Sequence, residues 1–218
     1  MPTLEEIRDR VERIVHDVTY HGDVADGFIN EAYKRCASLV LLPYLESSSL
    51  ITVAAGATST LIPSSWNFDR NIYACFDTIN GRSIRTTSSV ALLIRQHPDY
   101  LLDVAASEME MCTTQGNQFI CWPAPSAEVT LRCAFYKKLT VLSNDDDIPV
   151  ALPEFLHFRL LAPGACSGIF FEIEEGNDGV MPNTTKHTKA FENAIAELYA
   201  FYRTGQSRPE PNRRTMGI

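Results

Sequence analysis

Apolar positions recur every three or four residues from the start of the chain. Leu4, Ile7, Val11, Ile14 and Val18 share one face, and Thr3 with Glu6 forms a capping box, so residues 4–18 are predicted to be an amphipathic helix. After Tyr20-His21-Gly22-Asp23 a second helix of about fifteen residues aligns Ala25, Phe28, Ala32, Cys36 and Leu39. The short link predicts an antiparallel helical hairpin.

From Leu50 the periodicity shortens to two. Ile51 to Pro63 predicts two strand pieces around Gly56, and Asn71–Asp77 with Arg82–Thr86 predicts a hairpin closed by Asn80-Gly81. Val90, Leu93 and Ile94 suggest a short helix that must yield at His97-Pro98. In Glu128–Tyr136, Val129, Leu131, Cys133 and Phe135 point one way while Thr130, Arg132, Ala134 and Tyr136 point the other, which predicts a half-buried strand with Phe119–Trp122 as its partner.

Asn144-Asp145-Asp146-Asp147 reads as a turn, and Leu152-Pro153-Glu154 opens a segment, Phe155 to Ile173, that is apolar nearly all round. Such a helix must be buried on several sides, within the core or between subunits. Pro163-Gly164 is expected to bend or break it. The last helix, Thr185 to Tyr202, carries the stripe Phe191, Ala194, Ile195, Leu198 and Phe201 and is expected to stop at Gly205. Beyond Gln206 little can be buried, so that stretch is expected to order only against a partner.

The predicted fold class is α+β. An antiparallel helical bundle is built from the N-terminal hairpin (1–45) and C-terminal helices (148–204), around an inserted antiparallel β-rich module (46–147), with an extended basic arm at 205–218.

Composition narrows the function. The chain has 218 residues, 45% apolar and 21% charged, enough for a real core without disulfide or metal support. The uncharged stretch Ser47 to Phe68 is rich in Ser and Thr, so no bilayer span is expected, and the N-terminus lacks a signal pattern, so synthesis in the cytosol is expected. The six cysteines include no Cys-x-x-Cys pair, which argues against zinc and for buried thiols. The net charge is −8, while the residues from Arg203 onward hold four arginines and one glutamate. An acidic body repels nucleic acid, and a basic tail suits an acidic protein surface.

No catalytic, cofactor or metal site emerges. Cys121 with His157 is the one conceivable thiol–base pair, yet Cys121 sits in a strand pattern and His157 among Phe155, Leu156 and Phe158, as a packing histidine would. Asp145-Asp146-Asp147 lacks the alternation and glycine of a calcium loop. Phosphate-binding glycine loops, metalloprotease helices and Gly-x-Ser-x-Gly elbows are missing from the sequence.

The order of parts resembles the head-to-tail adaptor proteins of tailed bacteriophages, the group that includes tail tubular protein A and the head-completion adaptors of short-tailed phages. Four segments carry the resemblance: the early helix pair with Phe28-Ile29-Asn30-Glu31-Ala32, the phrase Val53 to Thr58 ending at Leu61-Ile62-Pro63, Gly116 to Trp122-Pro123-Ala124-Pro125, and Asp147-Ile148-Pro149 leading to Leu152-Pro153-Glu154. Pro163-Gly164 departs from the alanine-rich helix usual there, which puts the continuity of that helix in question.

The resemblance implies a non-enzymatic virion protein without cofactors, made in the host cytoplasm and placed at the head-to-tail interface. It would form a ring, commonly of twelve copies, that docks under the portal protein, extends the DNA channel without sequence-specific binding, and gives tail nozzle or tail fibre proteins a platform. Arg208, Arg213, Arg214 and Ile218 of the arm would contact portal or a neighbouring subunit, and Phe155, Phe158, Phe170, Phe191, Leu198 and Phe201 would pack between subunits. Three alternatives stay open: stripes that fill a monomeric core, a tail-completion or connector protein that never meets the portal, and an enzyme of unknown class.

Overall fold

The computed structural model describes residues 1–98, 108–175 and 181–206. Contacts divide them into two units, one of Met1–Tyr44 with the described residues from Leu139 on, the other of Leu45–Lys138. Over these residues the chain is mixed α and β, with five α-helices and a seven-stranded sheet. No described helix is long and apolar enough to cross a membrane.

In the first unit, α1 (Leu4–Val15) opens with the expected capping box, Thr3 Oγ1 accepting from Glu6 N at 3.4 Å and Glu6 Oε2 from Thr3 N at 3.3 Å. The helix stops three residues before Val18, which is 79% exposed in a short 3-10 turn. The acidic turn supports α1 with its backbone: Leu4 N donates to Asp147 O (2.8 Å) and Glu5 N to Asp145 O (3.1 Å), so carbonyls satisfy N–H groups that a helix start leaves without partners. Arg8 joins Asp26 of α2 (Asp23–Leu39) to Asp145 of the turn, and both carboxylates hold its guanidinium firmly charged. Asn30 clamps the returning strand of chain, donating to Leu142 O (2.9 Å) and accepting from Leu142 N (2.8 Å).

At the centre of this unit lies α4 (His157–Glu174), packed against α1, α2 and α5 (Pro182–Gln206). The helix is not broken at Pro163-Gly164, since its hydrogen-bonded course runs through both residues. Proline removes one intrahelical bond, to the carbonyl of Arg159, and three surrounding helices hold the rest. Gly164 is needed for closeness: a Cβ there would lie 2.6 Å from Ala32 Cβ and 2.9 Å from Phe191 Cδ2. α5 likewise continues through Gly205, where a stop was expected.

The corner from α4 to α5 is fixed by Glu174. Its Oε1 accepts from Asn183 N (3.1 Å) and Nδ2 (2.9 Å), and its Oε2 from Thr184 N (3.0 Å) and Oγ1 (2.8 Å). A carboxylate thus caps the start of α5, where free N–H groups and the helix dipole favour negative charge. Burial pushes the pKa of Glu174 up, but the four hydrogen bonds outweigh it and leave the group below the usual carboxylate range.

The second unit is the sheet, ordered β1-β7-β3-β4-β5-β6-β2 and curled into a half-barrel. Its strands are β1 (Glu46–Val53), β2 (Ser59–Leu61), β3 (Phe68–Asp77), β4 (Arg82–Thr86), β5 (Met111–Gln115), β6 (Gln118–Trp122) and β7 (Val129–Lys137), with the short helix α3 (Val90–Gln96) after β4. Inside the curl lie Val53, Phe119, Leu131 and Phe135, and the Trp66 ring stacks on Phe135 at 4.6 Å. The β3–β4 hairpin turns at Asn80-Gly81 as its sequence predicts, with Gly81 at φ 67° and Asp77 Oδ1 accepting from Ile79 N and Asn80 N.

Two expectations are corrected here. Phe119–Trp122, as β6, pairs with β5 and β2, while the alternating strand β7 lies between β1 and β3. The module is also not wholly antiparallel, because β4 and β5 run parallel, Arg85 opposite Met111 and Thr86 opposite Cys112. A parallel pair needs a crossover, and the chain through α3 supplies it. The first and last strands, β1 and β7, are paired neighbours, with Glu46 opposite Tyr136.

Two measurements test this packing. Gly164→Ala is expected to cost about 1–3 kcal/mol in urea unfolding, whereas Gly27→Ala, in α2 with nothing within 4 Å of the added Cβ, should be neutral or stabilise by about 0.5–1 kcal/mol; equal effects would contradict the close α2–α4 contact. For Glu174→Gln, the folded pKa lies below the unfolded value of about 4.3, so the carboxylate stabilises above that pH and loses its contribution as pH falls through the folded pKa. The urea midpoints of wild type and variant should therefore differ at pH 7 and converge as pH falls from about 4.3 through the folded pKa.

Candidate functional site

The sequence offers α4 and α5 as contact surfaces, and the structure sorts their six named residues by depth. Phe191 and Leu198 lie at 1% and 0% exposure inside the chain's own helical unit. The α5 stripe that carries them covers α4, so they have no surface left for a neighbour. Phe158 and Phe170 are half-buried, Phe158 beneath the Arg10 guanidinium at 5.1 Å and Phe170 stacked on His187 at 5.3 Å. Phe155 and Phe201 are exposed at 57% and 46%, edge to face at 5.3 Å. Tyr199 and Val150 are exposed as well. The arm residues Arg208, Arg213, Arg214 and Ile218 lie outside the described residues.

Aromatic pairs of this kind do not arise from helix periodicity alone. Phe155 precedes α4 in a single 3-10 turn started by Pro153, and Phe201 follows the buried Leu198 by three residues on α5. Tyr202 beside it sends its hydroxyl to Ala151 O at 3.4 Å, while Ala151 N donates to the buried Tyr33 hydroxyl at 3.1 Å. These bonds fix the backbone that presents Phe155.

Grooves flank α4. On one side, two adjoining hollows of about 610 and 400 Å³ share Arg10, Ile14 and Phe158, and Arg13 and Lys186 stand on their rims. On the other, a hollow of about 320 Å³ lies among Phe28, Glu31, Gly168 and Phe171. Sequence reading missed Arg10, Lys186 and Phe171. The signal for the first was there, since Arg10 and Arg13 border the apolar face of α1 at helical spacing.

Cys121 and His157, the thiol and base that the sequence offers, each reach a nearby backbone carbonyl. Cys121 belongs to the sheet unit, buried, its thiol directed to Ala57 O at 3.4 Å and pushed up to about 12 by burial. His157 belongs to the helical unit, its Nε2 on Leu152 O at 3.0 Å and its pKa held below the ordinary value by burial. All six cysteines are buried free thiols. In the sheet core Cys75 and Cys133 approach to 3.7 Å, and the hydrogen bond each shares with Cys75, followed by burial, pushes the Cys112 and Cys133 thiols up. Among the described residues no group of three or more His, Cys, Asp or Glu is arranged to hold a metal ion. In the acidic turn Asp147 Oδ2 accepts from Ser143 N and Asn144 N, while Asp145 binds Arg8.

A helical unit with exposed aromatics and side grooves, joined to a curled sheet, is the equipment of a protein that binds other proteins. Residues 2–215 match the family model of the SU10 adaptor protein, and the chain belongs to that family, an adaptor family of phage head-tail connector proteins. It is a phage adaptor protein of a structural family, whose members work with other phage head and tail proteins. No curated protein matches the chain.

Depth predicts the cost of truncation. Leu198→Ala should lower unfolding stability by about 2–5 kcal/mol, and Phe155→Ala or Phe201→Ala by less than about 1 kcal/mol, measured in urea on the isolated protein. A core-sized loss at Phe201 would show that it serves the fold rather than a surface.

Proposed function

We propose that the protein is a head-to-tail adaptor: a ring of twelve copies that docks under the portal, extends the DNA channel, and offers the platform on which tail nozzle or fibre proteins attach. The family match across residues 2–215 carries this reading. In it the helices act as an antiparallel bundle that forms the ring wall, and Phe155 and Phe201 meet neighbouring protein.

The arm supplies the grip on the portal or the next subunit through Arg208, Arg213, Arg214 and Ile218. Guanidinium forks pair well with carboxylates, and thirteen residues from Gln206 extend to at most about 45 Å, enough to cross a neighbour. The net charge of −8 suits a channel through which DNA slides, since phosphate backbones bind where cations replace their counterions.

The test is co-sedimentation with purified portal rings. The full chain should bind and a chain ending at Gln206 should not, with the same thermal midpoint for both. Undiminished binding by the shortened chain would overturn the role of the arm, and no binding by either would favour a connector elsewhere in the tail. Duplex DNA at low salt should not be retained by the shortened chain, and tight retention would contradict the acidic channel.

A further inference from the structure

Four of the thiols share the core of the sheet, Cys75 on β3, Cys112 on β5, Cys121 on β6 and Cys133 on β7. Two of them are opposed strand to strand. Cys75 faces Cys133 in the β3–β7 register, and their Sγ atoms lie 3.7 Å apart in a hydrogen bond. Directly opposite residues of an antiparallel pair have Cα atoms about 4.5–5.5 Å apart, inside the span of about 4.4–6.8 Å that a disulfide bridges. Cys112 also bonds Cys75, but from β5, which is not a neighbour of β3 in the sheet. Hydrogen bonds from Cys112 and then Cys133 hold the Cys75 thiol below its ordinary pKa against the burial that opposes them, which favours the thiolate that reacts. The β3–β7 ladder is irregular just before this pair, its register shifting between Ile72 and Ala74. Such an irregularity disrupts local pairing, and opening there admits a molecule little larger than water.

We infer that Cys75 and Cys133 are a modification site, which hydrogen peroxide oxidises to a cross-strand disulfide that fastens β3 to β7. The Cys75 thiolate attacks one peroxide oxygen, the O–O bond breaks, and the released hydroxide takes a proton and leaves as water, so Cys75 becomes a sulfenic acid. Cys133 Sγ then attacks the Cys75 sulfur. The S–O bond breaks, the two sulfurs join, and the Cys133 proton leaves with the hydroxide as a second water. The two thiols lose two electrons in all, and the peroxide gains them. Glutathione keeps thiols reduced in a cytosol, so the bond forms once the protein is outside a reducing compartment. It joins positions 58 residues apart, and closing so long a loop restricts the unfolded chain more than the folded one. Oxidation thereby makes the sheet harder to unfold.

The full wild-type chain tests it, purified in reductant, desalted, treated with hydrogen peroxide and digested without reduction for peptide mapping. All six cysteines start as free thiols, and the number titrated in denaturant should fall by two. One linked peptide pair, holding Cys75 and Cys133, should account for the loss. The thermal midpoint should rise by about 5 °C and return on treatment with dithiothreitol. Cys112→Ala should still form the bond, while Cys133→Ala, folded by circular dichroism, should show no rise with peroxide. The urea-unfolded chain oxidised in the same way should give several pairings, because the strand register is what selects this one. A native chain that keeps all its thiols, a different pairing, or a sulfinic acid at Cys75 in place of the bond would overturn the site. A mapped bond with an unchanged midpoint would overturn the fastening.

Discussion

Everything else in the helical unit follows from a helix that has no polar side. α4 buries Leu160, Leu161, Ala165, Cys166 and Ile169 in different directions, so it is stable only when other helices enclose it. The nearest helices in sequence are too few. α5 follows directly, but α1 and α2 come from the other end of the chain. The protein must bring its two ends together, and the residues between them become an excursion. Arg8, binding Asp26 and Asp145, and Asn30, binding Leu142, are polar links that fasten the early helices to the returning chain. Gly164 lets α2 approach α4 more closely than any side chain permits.

Much of this was legible in the sequence where the signal is local. The Thr3/Glu6 capping box, the α5 stripe, the alternation of Val129 to Tyr136 and the Asn80-Gly81 turn each specify a conformation through neighbours a few residues away. What could not be read is decided at long range. Phe119–Trp122 is a strand by pattern, but its partners depend on how the sheet curls. Pro163 is a helix breaker by rule, and enclosure by three helices overrides the rule. The same limit applies to the contact surface. Periodicity places Leu198 and Phe201 on one stripe, yet only the height at which α4 ends under α5 makes the first a core residue and the second an exposed one.

Several carboxylates among the described residues serve the backbone. Asp77 closes a hairpin, Asp147 a turn and Glu174 a helix start, each as acceptor for N–H groups that lack other partners. The thiols pack as small apolar side chains within the sheet and beside α4. Family membership agrees with that economy: an adaptor acts through the faces it presents. Phe155, Phe171 and Phe201 are among the large apolar side chains that stay partly exposed.

The pairing of β1 with β7 has a consequence for how such proteins diversify. Glu46 and Tyr136 are opposite one another, and the tyrosine hydroxyl donates to the Glu46 carboxylate at 3.0 Å. The sheet therefore departs from and rejoins the chain at a single doorway, as a cassette does. A shorter, longer or unrelated module fits the same doorway provided its first and last strands pair, so one lineage can exchange its sheet while inheriting the helices unchanged.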